Sequence, residues 1–169
     1  ETFVSGSVPA TEHSVMTLDG IDGEFELFKR LITQSVPTGI VSLVADGFDY
    51  WKVLTEFLPA LKNDILARKP DAMGFAKVVI RPDSGDPVDI VCGDETAPVG
   101  SPEYKGSIEL LWEIFGGTIT ETGHKLLDSH IGLIYGDSIT LDRAYQILSR
   151  LKNKGFASAN VVFGVGSYS

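Results

Sequence analysis

Short apolar runs of strand length alternate along this chain with longer stretches whose apolar residues recur at helical spacing. Ile40-Val41-Ser42-Leu43-Val44-Ala45 stops at Asp46, and Val78-Val79-Ile80 stops at Arg81-Pro82-Asp83-Ser84-Gly85. Ile131-Gly132-Leu133-Ile134-Tyr135 stops at Gly136-Asp137, and Val161-Val162-Phe163 stops at Gly164-Val165-Gly166-Ser167. These runs predict strands over 39–45, 77–80, 131–135 and 160–163, with a further one over 2–8 that breaks at Pro9. Between them, residues 24–34 place Phe25, Phe28, Leu31 and Ile32 on one helical face. Residues 50–67 do the same with Val53, Leu54, Phe57, Leu58, Leu61 and Ile65. Pro59 lies inside this second stripe and predicts a kink or a break into two shorter helices. Helices are also expected over 107–115, ended by Gly116-Gly117, and over 141–154, with Thr140 as N-cap and Gly155 as its stop.

Alternation of strand and helix predicts an α/β fold with mostly parallel strands. An open doubly wound sheet fits that pattern, but polar residues at every strand end favour part of an irregular (β/α) TIM-like barrel, with the chemistry at the C-terminal edge of the strands. The apolar run over 77–80 reads as a strand covered on both faces. From 83 to 105 the periodicity dissolves into Gly, Pro, Asp and Ser, which predicts a long loop over 86–106, a lid or a partner contact. Residues 1–169 otherwise read as one α/β segment.

Composition narrows the classes. A chain of 169 residues, 43% of them hydrophobic, can bury a core of its own. No apolar run approaches the ~20 residues of a membrane span, and the start does not read as a signal peptide. Cys92 is the single cysteine, which excludes disulfides within the chain and Cys-based zinc sites and fits a reduced, cytoplasmic setting. A net charge of −9 argues against a nucleic-acid or anionic-membrane surface. The strand-like opening without Met, and an end just after a Gly-rich turn, lead us to expect an excised piece of something longer. An incomplete barrel exposes strand edges, so self-association is expected as well.

Among residues that carry chemistry, Arg81 and Asp83 are the sharpest pair. A guanidinium suits phosphate, carboxylate or a flat ring, and an aspartate two residues on can accept from sugar hydroxyls or help hold a metal–diphosphate. The plainer alternative is a salt bridge beside an ordinary Asp-Ser-Gly turn. Gly136-Asp137 and Gly164-Val165-Gly166-Ser167 have the look of a ribose-phosphate cradle, since glycine lets backbone N–H groups approach an anion; simple turns would read the same. His13 suits acid–base or phosphoryl chemistry, with Asp46 as its orienting carboxylate or merely a helix cap. His124 and His130 fall in a loop-like stretch and are given no role.

Taken in order, Ser-Val-Pro-Ala-Thr-Glu-His-Ser (7–14), Ser-Leu-Val-Ala-Asp (42–46), Ile-Arg-Pro-Asp-Ser-Gly-Asp-Pro (80–87), Tyr-Gly-Asp (135–137) and Phe-Gly-Val-Gly-Ser (163–167) resemble the nicotinamide phosphoribosyltransferases over essentially the whole chain. The resemblance implies an irregular α/β barrel enzyme of NAD salvage that joins nicotinamide to phosphoribosyl pyrophosphate, releasing nicotinamide mononucleotide and pyrophosphate. It implies a homodimer, Mg²⁺ held with the pyrophosphate, and ATP acting through histidine phosphorylation. By motif, His13 corresponds to the phosphorylated histidine and Asp46 to its carboxylate. Ser42 and Arg81 would border the nicotinamide pocket, and Ser7 would add a substrate contact. Asp83, Gly136 and Asp137 would meet ribose hydroxyls or phosphate, and Gly166 with Ser167 would cradle the 5′-phosphate, although the family often has Gly where Ser167 stands. In the family, the aromatic that stacks on the pyridine ring and the aspartate that reads its amide lie upstream of Glu1, and further basic phosphate ligands lie downstream of Ser169. The competing readings are a nicotinate phosphoribosyltransferase, a non-catalytic phosphosugar-binding fragment, and a phosphosugar aldolase or isomerase. For the last, Lys77 would be the Schiff-base lysine, but it sits at the wrong end of its strand.

Overall fold

The computed structural model describes residues 23–82, 84–135 and 139–163. Of the five expected strands, the one over 2–8 lies outside those residues. The other four form one parallel sheet: β1 (Val41–Val44), β2 (Val78–Arg81), β5 (Ile131–Tyr135) and β6 (Val161–Phe163), side by side in chain order. That order has no reversal, so the described sheet contains no switch point of a doubly wound fold. It is the order found in an arc of a barrel, and no closed barrel is formed by the described residues.

Register explains which side chains share a face. Leu43 pairs with Ile80, Ile80 with Leu133, and Leu133 with Val161. Because side chains alternate along a strand, this row and the row Val41–Val78–Ile131 point the same way. All are buried in one cluster with Leu54, Leu58, Leu61, Ile65, Ile108 and Leu111 from the flanking helices. Each such side chain contributes roughly 1.5–3 kcal/mol by leaving water. The opposite face carries Ser42, Val79 and Gly132 in one row and Val44, Arg81 and Ile134 in the next. Val79 and Arg81 are only half-buried there, so β2 is fully covered on one face alone, not on both as its apolar run predicts.

Helix α1 comprises residues 23–30 and a π-helical turn, Leu31–Ser35. Its C-terminal end is held by Arg68, whose guanidinium is buried and donates to the carbonyls of Ile32 at 2.6 Å, Val36, and Gly39 at 2.7 Å. Helix α2 starts at Tyr50–Lys52, capped by the Asp49 carboxylate on the Lys52 N–H, and runs through a π turn, Val53–Phe57, into Leu58–Leu66. Pro59 therefore does not break the helix in two. The chain answers the missing N–H with a wider turn just upstream, where the Leu58 N–H reaches back to the Val53 carbonyl.

Where the sequence predicts a loop over 86–106, two short helices stand instead: α3 (Pro87–Cys92) and α4 (Pro102–Lys105). Both open with the same device. Asp86 and Ser101 accept backbone N–H bonds as N-caps, and a proline occupies the first turn, where its missing donor costs nothing. The helix ends cross at backbone distance. A Cβ on Gly93 would sit 2.1 Å from the Tyr104 carbonyl, and one on Gly106 would sit 2.3 Å from the Gly93 nitrogen. Two cations pin the crossing from α6 (Leu141–Asn153) and its C-cap. Lys154 donates to the Cys92 and Lys105 carbonyls at 2.8 and 2.7 Å, and Arg150 to Gly93 at 2.7 Å.

Helix α5 (Ser107–Phe115) ends at Gly116 as expected. A β-hairpin then intervenes, β3 (Gly117–Ile119) pairing antiparallel with β4 (Lys125–Leu127). This exception to strand–helix alternation was not predicted. Its signal was modest: β-branched Thr118-Ile119-Thr120, then Gly123 at a positive φ of 84° in the turn.

Candidate active site

Parallel strands deliver their C-terminal ends to one edge. Val44 lies opposite Arg81, and Tyr135 opposite Phe163, so Asp46, Arg81 and Tyr135 emerge together. Ser42 points to the same face as Arg81, because its partner is Val79, two residues earlier on β2. Asp46 and Arg81 are thus brought to one rim, as the strand-end pattern implies, and Ser42, placed by motif, lies buried on the Arg81 face one level deeper in the sheet. Seven other predicted positions, Ser7, His13, Asp83, Gly136, Asp137, Gly166 and Ser167, lie outside the described residues. His124 bonds Thr122 through Nδ1 at 2.9 Å in the hairpin. His130 bonds Asp128 at 2.7 Å just before β5, at the opposite end of the sheet.

The turn after β2 is tied to its neighbours on both sides. Ser84 donates its hydroxyl to Asp46 Oδ2 at 2.6 Å, joining the β1 and β2 ends. Tyr135, 3% exposed, donates to the Ser84 carbonyl at 2.8 Å, with the Gly85 carbonyl at 3.3 Å. Gly85 has φ of 84°, a backbone conformation that favours glycine, and a Cβ there would meet the Ile90 side chain at 3.2 Å. Asp86 is spent on capping α3. Farther along, the Ile90 carbonyl accepts from Ser107 Oγ at 2.6 Å, and Ser107 in turn accepts from Tyr50 at 2.6 Å. Burial holds the Tyr50 phenol well above its ordinary range, so it remains a donor.

Two buried polar atoms near this edge have no hydrogen-bond partner among the described residues: Ser42 Oγ and Glu24 Oε2. Glu24 is 1% exposed, and burial first, then the charges of Asp46 and Asp49, push its carboxyl up to about 7. Sequence reasoning passed over Glu24, yet a signal existed. It stands four residues before Phe28 and eight before Ile32, in phase with the apolar stripe of α1. Ser84 and Tyr135 carried no comparable signal, since their bonds span 38 and 51 residues. The only cysteine is not part of the site. Cys92 is buried against the Ile147 carbonyl, and burial raises its thiol to about 11, which suppresses the nucleophilic thiolate.

A guanidinium and a carboxylate at one strand-end rim are groups that can meet a phosphorylated sugar. The family model for the nicotinate phosphoribosyltransferase (NAPRTase) family matches residues 3–168. The chain belongs to that family. Within it, the chain is 60% identical over 166 residues to a protein of Acinetobacter baylyi named nicotinamide phosphoribosyltransferase, covering 98% of this chain and 33% of that one. Proteins of the same name from Mycoplasma pneumoniae and Mycoplasma genitalium are 43% and 39% identical, covering 95% and 96% of this chain and 34% of each of theirs. The chain therefore spans about one third of the length of these members of the family. No described helix is long and apolar enough to cross a membrane.

Proposed function

We propose that the complete protein is a nicotinamide phosphoribosyltransferase, transferring phosphoribosyl from phosphoribosyl pyrophosphate to nicotinamide in NAD salvage. The observation that carries this reading is the match over 98% of the chain, at 60% identity, to a relative of that name. The rim of Asp46 and Arg81 supports it chemically. Displacing pyrophosphate from the anomeric carbon builds oxocarbenium character, so catalysis requires grip on the diphosphate and positioning of the base. In this reading Arg81 and Ser42 border the flat pyridine ring. Ser7 adds a substrate contact, Asp83, Gly136 and Asp137 take the ribose and phosphate, and Gly166 and Ser167 take the 5′-phosphate. His13, oriented by Asp46, is the group that ATP phosphorylates, placing negative charge near the bound diphosphate.

Among the described residues no cluster of three or more His, Cys, Asp or Glu is placed to hold a metal. In this reading Mg²⁺ arrives as part of the substrate, on its diphosphate oxygens, as is usual for that ion. We further propose a cytoplasmic homodimer, with this chain alone inactive. The family description supports a second reading, a nicotinate phosphoribosyltransferase. Assaying the complete protein with phosphoribosyl pyrophosphate, Mg²⁺ and either base separates the two. Nicotinamide mononucleotide as the main product is expected, and turnover of nicotinate alone would refute the first reading.

A further inference from the structure

We propose that Ser84 and Tyr135 are positioning residues for the strand-end site, holding the Asp46 carboxylate and the turn after Arg81 in one fixed relation; this rests on the phosphoribosyl-transfer reading above. Three strand ends meet in the linkage. The Ser84 hydroxyl is committed to Asp46 Oδ2 at 2.6 Å, the length of a charge-assisted O–H···O⁻ bond. Its backbone carbonyl is committed to the Tyr135 hydroxyl at 2.8 Å. One residue thus couples β1 through its side chain and β5 through its main chain, while following directly on the turn that β2 delivers.

The arrangement differs from ordinary turn chemistry in one respect. A serine in an Asp-Ser-Gly turn ordinarily bonds its own backbone within two or three residues. Here the hydroxyl leaves its turn and crosses to a carboxylate on the adjacent strand end. Tyr135 is nearly fully buried, and a buried phenol needs a partner, so its single proton anchors the turn from beneath. The positively rotated Gly85 lets the carbonyls of Ser84 and Gly85 face the same hydroxyl. Neither residue needs to touch substrate. Their effect is to remove freedom from a carboxylate and a turn that must be aligned to within a fraction of an ångström for transfer.

The test uses the complete protein with nicotinamide, phosphoribosyl pyrophosphate, Mg²⁺ and ATP. Ser84→Ala is expected to lower kcat by about ten- to a hundredfold, the rate equivalent of one charge-assisted hydrogen bond, with melting unchanged because the side chain is exposed. Ser84→Thr, which keeps the hydroxyl, recovers most of the loss. Tyr135→Phe raises KM for phosphoribosyl pyrophosphate several-fold with a smaller change in kcat, since it loosens the turn and leaves the Ser84–Asp46 bond in place. Unchanged kcat in Ser84→Ala, or a loss that Thr does not restore, overturns the positioning role while leaving the transfer reading intact. A wild-type protein inactive with both nicotinamide and nicotinate overturns the transfer reading and this role together.

Discussion

Replacing Glu24 by Gln removes one titrating proton from beneath the strand-end rim without changing the shape of the side chain. The carboxyl is 1% exposed, one oxygen has no partner among the described residues, and burial with the nearby charges of Asp46 and Asp49 lifts it from 4.5 to about 7. A carboxyl raised in the folded state favours folding less as pH rises. Below about pH 4.5 both folded and unfolded chains hold the proton, and Glu24 contributes no difference. Between 4.5 and about 7 the folded chain keeps a proton the unfolded chain has released, so stability falls across that window and stays lowered above it. At about 1.36 kcal/mol per pH unit the rise from 4.5 to about 7 amounts to roughly 3 kcal/mol. Glu24→Gln should therefore stabilise the protein by that amount at about pH 8 and by almost nothing at about pH 4. Urea denaturation of wild type and variant at both pH values reads the difference directly. A stabilisation equal at both pH values, or larger in acid, would refute the reasoning.

Arg68→Met removes the donors to three carbonyls at the end of α1 and the approach to β1. It should cost roughly 2–4 kcal/mol in denaturant melts, and a loss below about 0.5 kcal/mol would show those carbonyls find water instead. Gly93→Ala drives a methyl to 2.1 Å from the Tyr104 carbonyl at a φ of 105° and should destabilise by more than about 3 kcal/mol. Gly100→Ala, at a φ of 87° with open space around it, should cost only about 1–2 kcal/mol, so equal melting shifts would count against the crossing. Lys154→Met should speed amide hydrogen exchange over 92–106 selectively, because it strips the cation from two helix-end carbonyls; uniform exchange across the chain would contradict this.

Four strands and the principal helices were legible because their burial follows a simple period, and chain-order pairing needs no information beyond that period. The two helices within 86–106 were hidden by their own start signals. Asp86-Pro87 and Ser101-Pro102 read as loop punctuation when the helices that follow are only a turn or so long. The hairpin was missed because its strands have three residues each, too short for alternation to register. At the rim, the positions of Arg81 and Asp46 were legible because each ends an apolar run, whereas Ser42 came from the family resemblance alone. Ser84 and Tyr135 were not, since what matters about them is a partner dozens of residues away, fixed only once β1, β2 and β5 lie in register. Glu24 was recoverable from its phase in the α1 stripe, where a charge is the exception that needs a reason.

The strand order has a consequence for how the chain is made. Each strand of the parallel sheet pairs with the one synthesised before it, β2 on β1, β5 on β2, β6 on β5. A ribosome releasing the chain from its N-terminus therefore supplies every template before the strand that needs it, and the sheet can grow outward without waiting for a distant segment. The Asp46–Ser84 and Ser84–Tyr135 bonds close in that same sequence, so the rim is assembled step by step as the nascent chain lengthens.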